Sequence, residues 1–237
     1  MIQVHPSWQE IVSECYSSLD KKYRDFLEND NNYFPDKNNF LNAFKTLALE
    51  DTKYILFGQD PYPRKDSAIG YAFIDGLVNE LFSESGLSKS VNKATSLRNF
   101  IKMLLVSDGK LDINNTSQEE ILKVSKENII SCIIDLKNNF ESNGVLLLNT
   151  ALIFTSKKDT SYHARQFLPF MDKLLHSLKD NDIEIILFGN IADMIEKKLE
   201  ISKQFKTHKT PHPYNVGFIK DKSAIDFFKP MQLLSKR

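Results

Sequence analysis

Trp8, Ile11, Val12, Cys15 and Leu19 recur at intervals of three and four residues, which places them on one face of an amphipathic helix. Ser7, followed three residues later by Glu10, has the spacing of a capping box at that helix's start. Phe40, Phe44 and Leu47 predict a second helical face leading into an apolar run, Tyr54 to Phe57, short enough to be a strand. Two further runs have the same character. Val145 to Leu148 starts after Gly144 and ends at Asn149, and Ile183 to Phe188 is closed by Gly189. Between them, Phe167, Phe170, Met171, Leu174, Leu175 and Leu178 form a helical stripe, and Ile191, Met194, Ile195 and Leu199 form another after the last run. Continuous apolar strands alternating with helices imply a parallel sheet buried on both faces. The polar stretch Leu77 to Thr95 reads as a surface excursion and Asp108 to Gln118 as a loop between helices. Neither reads as a domain boundary, so the expectation is one α/β domain over residues 1–237 with an insertion at 77–95.

Composition changes this picture little. A chain of 237 residues with 41% hydrophobic and 26% charged residues can bury a full core and is not a disordered sequence. The formal net charge is zero, so the whole molecule gives no electrostatic sign of a nucleic-acid partner. Its distribution does: from Lys203 onward eight basic residues stand against two acidic ones, a net of +6. Such a segment marks either an anionic partner at one face or a solvated surface. Cys15 and Cys132 are the only cysteines and form no Cys-x-x-Cys pair, which favours a reducing compartment over a disulfide or metal scaffold. The sequence has no signal-peptide pattern and no apolar stretch near the ~20 residues that span a bilayer. The expected location is cytoplasmic, away from membranes.

The chemistry gathers at strand ends. The first strand runs into Gly58-Gln59-Asp60-Pro61-Tyr62-Pro63, and because Asp60 and Tyr62 each precede a proline, both are biased to extended backbone on a stiff segment. Asn149 ends the second strand, and His212 lies in Thr210-Pro211-His212-Pro213. If the sheet is parallel these ends converge, and an acid, an amide and a histidine there could read a base or handle a proton. Plainer readings stand beside these: a proline-rich turn at Asp60, a helix cap at Asn149 and a turn residue at His212. His208 and His212 are four apart, but Pro211 excludes the helix that metal-ligand spacing needs, and no metal is assigned. The sequence contains no Gly-rich phosphate loop, dinucleotide fingerprint or nucleophile elbow.

From the first helix to Lys229 the chain resembles a family 1 uracil-DNA glycosylase. Gly58-Gln59-Asp60-Pro61-Tyr62 is similar to that family's water-activating loop and Gly70-Tyr71-Ala72-Phe73 to its Gly-x-x-Phe segment. Leu146-Leu147-Leu148-Asn149-Thr150 resembles its Leu-Leu-Leu-Asn strand end. Ile185 to Gly189 resembles the strand before its last helix, and His212-Pro213 the start of its His-Pro-Ser-Pro-Leu loop. The resemblance implies a three-layer α/β/α fold with a central four-stranded parallel sheet, hydrolysis of the N-glycosidic bond of uracil in DNA, and no cofactor. It implies Asp60 and His212 as catalytic groups and Gln59, Tyr62, Phe73 and Asn149 as the uracil pocket. Ser96, Asn190, Tyr214, Val216 and Gly217 would contact DNA. The partner would be uracil-containing DNA, single- or double-stranded, met by a monomer; an inhibitor protein or a replication partner is left open.

The sequence also departs from the family. Pro63 stands where most members have a histidine, as in the poxvirus branch whose glycosylase doubles as a polymerase processivity factor. The loop His212-Pro213-Tyr214-Asn215-Val216-Gly217 lacks both family serines, and Val216 takes the place of the intercalating leucine. Asn190 replaces another serine, while Ser96 matches. Such changes bear on the grip of duplex DNA more than on base identity. The competing readings are a weakly catalytic DNA-binding or processivity subunit and a glycosylase for another damaged base. Two cysteines cannot supply the four thiolates of the iron–sulfur branch.

Overall fold

The apolar runs form strands where the sequence predicts them, each closed by a residue that breaks the run. A computed structural model describes residues 3–237, and its packing divides the chain into two compact units. One extends to Asp75 and resumes at Gly144–His208; the other comprises Gly76–Asn143 and Lys209–Arg237. In chain order the helices are α1 (Gln9–Ser17), α2 (Lys21–Asn29), α3 (Lys89–Lys93), α4 (Thr95–Ser107) and α5 (Gln118–Lys123), then α6 (Ile133–Ser142), α7 (Thr160–Gln166), α8 (Leu168–Leu178), α9 (Ile191–Lys198) and α10 (Lys222–Phe228). The strands are β1 (Tyr54–Gly58), β2 (Phe82–Ser83), β3 (Gly86–Leu87), β4 (Val145–Asn149), β5 (Glu184–Phe188) and β6 (Thr207–Thr210). Among the described residues, no helix is long and apolar enough to cross a membrane.

In the first unit β1 is the hub of a four-stranded sheet of order β4-β1-β5-β6, pairing in parallel with both β4 and β5. Ile55, Phe57, Leu146, Leu148, Ile185 and Leu187 join the core with the apolar faces of α1, α2, α8 and α9. Leu56, Leu147 and Ile186 point the other way and are buried as well, so the sheet is covered on both faces, as expected of parallel strands. The register sets Gly58 opposite Asn149 at the carboxyl end.

Three sequence expectations are corrected. Ser7 does not build a capping box: its hydroxyl accepts the Leu49 N–H at 2.9 Å, and His5 caps the short turn before α1 instead. Phe40, Phe44 and Leu47 are buried but lie in turns with one 3-10 segment, Asn42–Phe44. Here the carboxylate of Asp36 accepts from Asn38 N–H and Asn39 Nδ2, and Asn42 Nδ2 donates to Ile69 O, local bonds that compete with a helix ladder. The stretch Leu77 to Thr95 is not a surface excursion. It holds the β2–β3 hairpin and α3, and it buries Val78, Leu81, Leu87 and Val91 in the second unit, whose aromatic core includes Phe100, Phe140, Phe218 and Phe228. The loop Asp108 to Gln118 does join two helices, α4 and α5.

Candidate active site

The first unit brings five of the predicted residues to the carboxyl end of β1 and β4. Pairing continues past the strand ends: Thr150 N–H donates to Gly58 O, Ala151 N–H to Gln59 O, and the Thr150 hydroxyl to Gln59 O at 2.7 Å. These bonds fix the Gln59-Asp60 backbone against the Asn149-Thr150 segment. Asn149 itself is buried and caps no helix. Gly58 makes this placement possible, since a Cβ there would overlap Asn149 Oδ1 and press on Ala72. The amide oxygen therefore packs against bare backbone at Gly58.

Phe73 is the second wall. Its φ of +69° is left-handed, a conformation that costs a bulky residue on the order of 1–3 kcal/mol and persists only where the surroundings over-determine it. They do. Ala72 N–H donates to Leu147 O at 3.1 Å, and the Tyr62 hydroxyl donates to Phe73 O at 3.3 Å. Gly70, at φ +87°, is wedged so closely on Asn39 O that no side chain fits. The Phe73 ring meets Phe188, at the end of β5, with centroids 5.9 Å apart and planes tilted by 59°. Sequence reading had assigned Phe188 only to the strand.

Asp60 is partly buried on the loop between these walls, and burial pushes its carboxyl above the usual carboxylate range. Burial likewise pushes the Tyr62 phenol up, and the nearby Asp75 carboxylate adds to the effect, so Tyr62 remains a neutral donor. The Gln59 side chain is exposed, so its contribution to the pocket is its backbone. Asn190, also in this unit, is exposed at the start of α9 and makes no capping bond.

The second unit carries the remaining predicted residues, and each is described within it. Asn99 on α4 donates to Pro213 O at 2.8 Å and to Tyr214 O at 3.4 Å, tying the His212 loop to the helix whose first turn holds Ser96. Tyr214 N–H donates to His212 Nδ1 at 3.0 Å. A neutral ring that accepts at Nδ1 carries its proton on Nε2, so His212 presents an N–H donor there. Burial lowers its pKa, which keeps the ring neutral at pH 7. Beyond it Tyr214 and Val216 are 70% and 72% exposed, large apolar groups held in water. The loop is stiffened by Asn215, whose carboxamide oxygen accepts the Gly217 N–H, and by buried Phe218 stacked on Phe100. The basic segment is partly neutralised: Lys206 pairs with Glu184 and Lys222 with Asp226.

Comparison with known proteins identifies the family and the fold. The family described as the uracil DNA glycosylase superfamily matches residues 44–232. The uracil-DNA glycosylase of Fusobacterium nucleatum is 29% identical over 232 residues, 92% of this chain and 87% of its own length. That of Borreliella burgdorferi is 25% identical over 243 residues, 96% of this chain and 95% of its own. The crystal structure of the wild-type UNG from Nitratifractor salsuginis matches with a TM-score of 0.97 at 46% identity, covering 99% of this chain and 94% of that one. Mimivirus uracil-DNA glycosylase, 19% identical, shares the fold with a TM-score of 0.56 over 90% of this chain and 70% of its own.

Proposed function

This chain belongs to the uracil DNA glycosylase superfamily, and from that premise we infer its reaction: hydrolysis of the N-glycosidic bond joining uracil to deoxyribose in DNA, the opening step of base excision repair. The observation that carries the reading is the buried Asn149 amide laid against Gly58 beside a strained Phe73. A base must leave the duplex stack to be acted on, and the cost of extruding it is offset partly by stacking on Phe73, about 1–3 kcal/mol for such contacts. Asn149 accepts from uracil N3–H and donates to O4. Cytosine presents the reverse pattern and would leave the buried amide mispaired. Tyr62 occupies the space a thymine methyl would need. Cleavage proceeds through a cationic sugar and a departing uracil anion. The Nε2–H of His212 and backbone N–H groups near Gln59 stabilise charge on O2, while Asp60 orients the attacking water and offsets the sugar's positive charge.

Both catalytic groups set the pH dependence in the same direction. Asp60 must be ionised, its active form above its raised pKa, and His212 must be neutral, its active form above its lowered pKa. Excision is therefore lost as pH falls, with an acid limb of kcat/KM set by whichever of the two groups has the higher pKa. Excision that rises as pH falls below neutrality would contradict both protonation states.

On the DNA side, Ser96, Asn190, Tyr214 and Gly217 hold the sugar-phosphate chain, with Ser96 in the first turn of a helix suited to an anion. Val216 fills the gap left by the base. We read the protein as a cytoplasmic monomer, consistent with two free cysteines. Excision measured on matched single- and double-stranded uracil oligonucleotides, at low and moderate salt, tests the whole scheme. Val216→Ala is expected to slow duplex excision by about tenfold, ~1.4 kcal/mol, with little change on single strands. Equal slowing on both substrates would count against the wedge. Tight binding without excision on either would favour the processivity-subunit reading.

A further inference from the structure

Pro63 is followed by Arg64, and the side chain of Arg64 reaches a residue that the mechanism above does not use. Its Nη2 lies 3.5 Å from Oδ2 of Asp75, a carboxylate whose side chain is 5% exposed whereas that of Arg64 is 64% exposed. Asp75 is also bridged across its own turn to Ala68, two residues before the wedged Gly70, and it lies two residues after the left-handed Phe73. On the other side Arg64 is two residues after Tyr62, whose hydroxyl is bonded to Phe73 O. The loop from β1 and the segment bearing Phe73 are thus joined by ties that include Tyr62 to Phe73 and Arg64 to Asp75. A single hydrogen bond between them would act as a pivot. Two separated ties resist rotation, and a residue held at positive φ needs such over-determination.

We propose that Arg64 and Asp75 are positioning residues that lock the Tyr62 and Phe73 walls of the base pocket into one piece, setting how tightly uracil is held. The inference rests on the uracil reading above and deepens it. Arg64 pairs with the Asp75 carboxylate, and in this ion pair the guanidinium lies in water while the carboxylate does not. An exposed arginine beside Lys65 could instead touch a DNA phosphate, and free uracil separates the two roles, because it has a base and no phosphate.

The test compares the wild-type protein with Arg64→Ala, Arg64→Lys and Asp75→Asn, measuring kcat and KM on a single-stranded uracil oligonucleotide, inhibition by free uracil, and melting temperature. Arg64→Ala changes a mostly exposed side chain, so the comparison does not depend on the buried Asp75→Asn folding. The expected result is a five- to twentyfold weakening of both KM and free-uracil inhibition in Arg64→Ala, a kcat within about twofold of the wild type, and substantial recovery in Arg64→Lys. An Arg64→Ala protein that loses oligonucleotide KM but binds free uracil as the wild type does would overturn the lock and make Arg64 a phosphate contact. Unchanged values in both assays would overturn it too. A wild-type protein that neither excises nor binds uracil would defeat the uracil reading itself, which distinguishes that failure from this one.

Discussion

Replacing Asp60 by asparagine is expected to slow uracil excision by about 10²–10⁴-fold, or roughly 3–5 kcal/mol of transition-state stabilisation, while oligonucleotide binding stays within about twofold. The substitution keeps the shape of the side chain and its place before Pro61, and removes only the charge and the capacity to accept a proton from water. Burial without a bonded partner has already raised the Asp60 pKa, so the carboxylate is a better base at neutral pH than a solvated one. The positive charge on the sugar develops only in the transition state, so losing the carboxylate should appear in kcat with little change in affinity. Turnover and gel-shift titration on one oligonucleotide check this. Parallel loss of binding and turnover would mean that Asp60 serves the loop's structure.

Asn149→Asp is expected to collapse the preference for uracil over cytosine, on the order of 10⁴-fold for a site that hydrogen-bonds its ligand, and to make cytosine release from a mismatched duplex measurable. An acid in this buried position favours its neutral form, which donates to cytosine N3 and accepts from N4–H. Uracil excision should fall in the same variant, because the ionised fraction of the acid accepts from N3–H but has no donor for O4. Gly58 leaves room for either side chain, so the exchange needs no backbone movement. A folded variant that binds DNA and releases no cytosine would contradict the pairing argument.

The legible part of this protein was the part in which one residue type dictates one outcome. Three apolar runs closed by Gly58, Asn149 and Gly189 read as buried strands, and the prolines at 61 and 63 marked a rigid loop. The Phe40 to Leu47 helix failed because Asp36, Asn39 and Asn42 satisfy backbone and one another locally, a competition that apolar spacing does not register. Leu77 to Thr95 misled through its polar composition, because its buried residues Val78, Leu81, Leu87 and Val91 follow no single helical or strand period. Helix α2 was missed, although Asp20 caps it and Tyr23 and Leu27 lie buried along it. At the candidate site, the placing of Asp60 and Asn149 at neighbouring strand ends was readable from the apolar runs that precede them. The left-handed backbone of Phe73, the Arg64–Asp75 pair, the Thr150 bond to Gln59 and the tautomer of His212 were not, because each depends on a contact that only the fold creates. Asp75, an acid at the end of Ala72-Phe73-Ile74, was the one mark of the pair in the sequence.

The most direct test of the central claim is to incubate the protein with otherwise identical oligonucleotides bearing one uracil, cytosine or thymine and to identify the released base by mass. The account predicts free uracil alone, in equal amount to new alkali-labile abasic sites. Release of another base in preference to uracil, or none despite tight DNA binding, would contradict it.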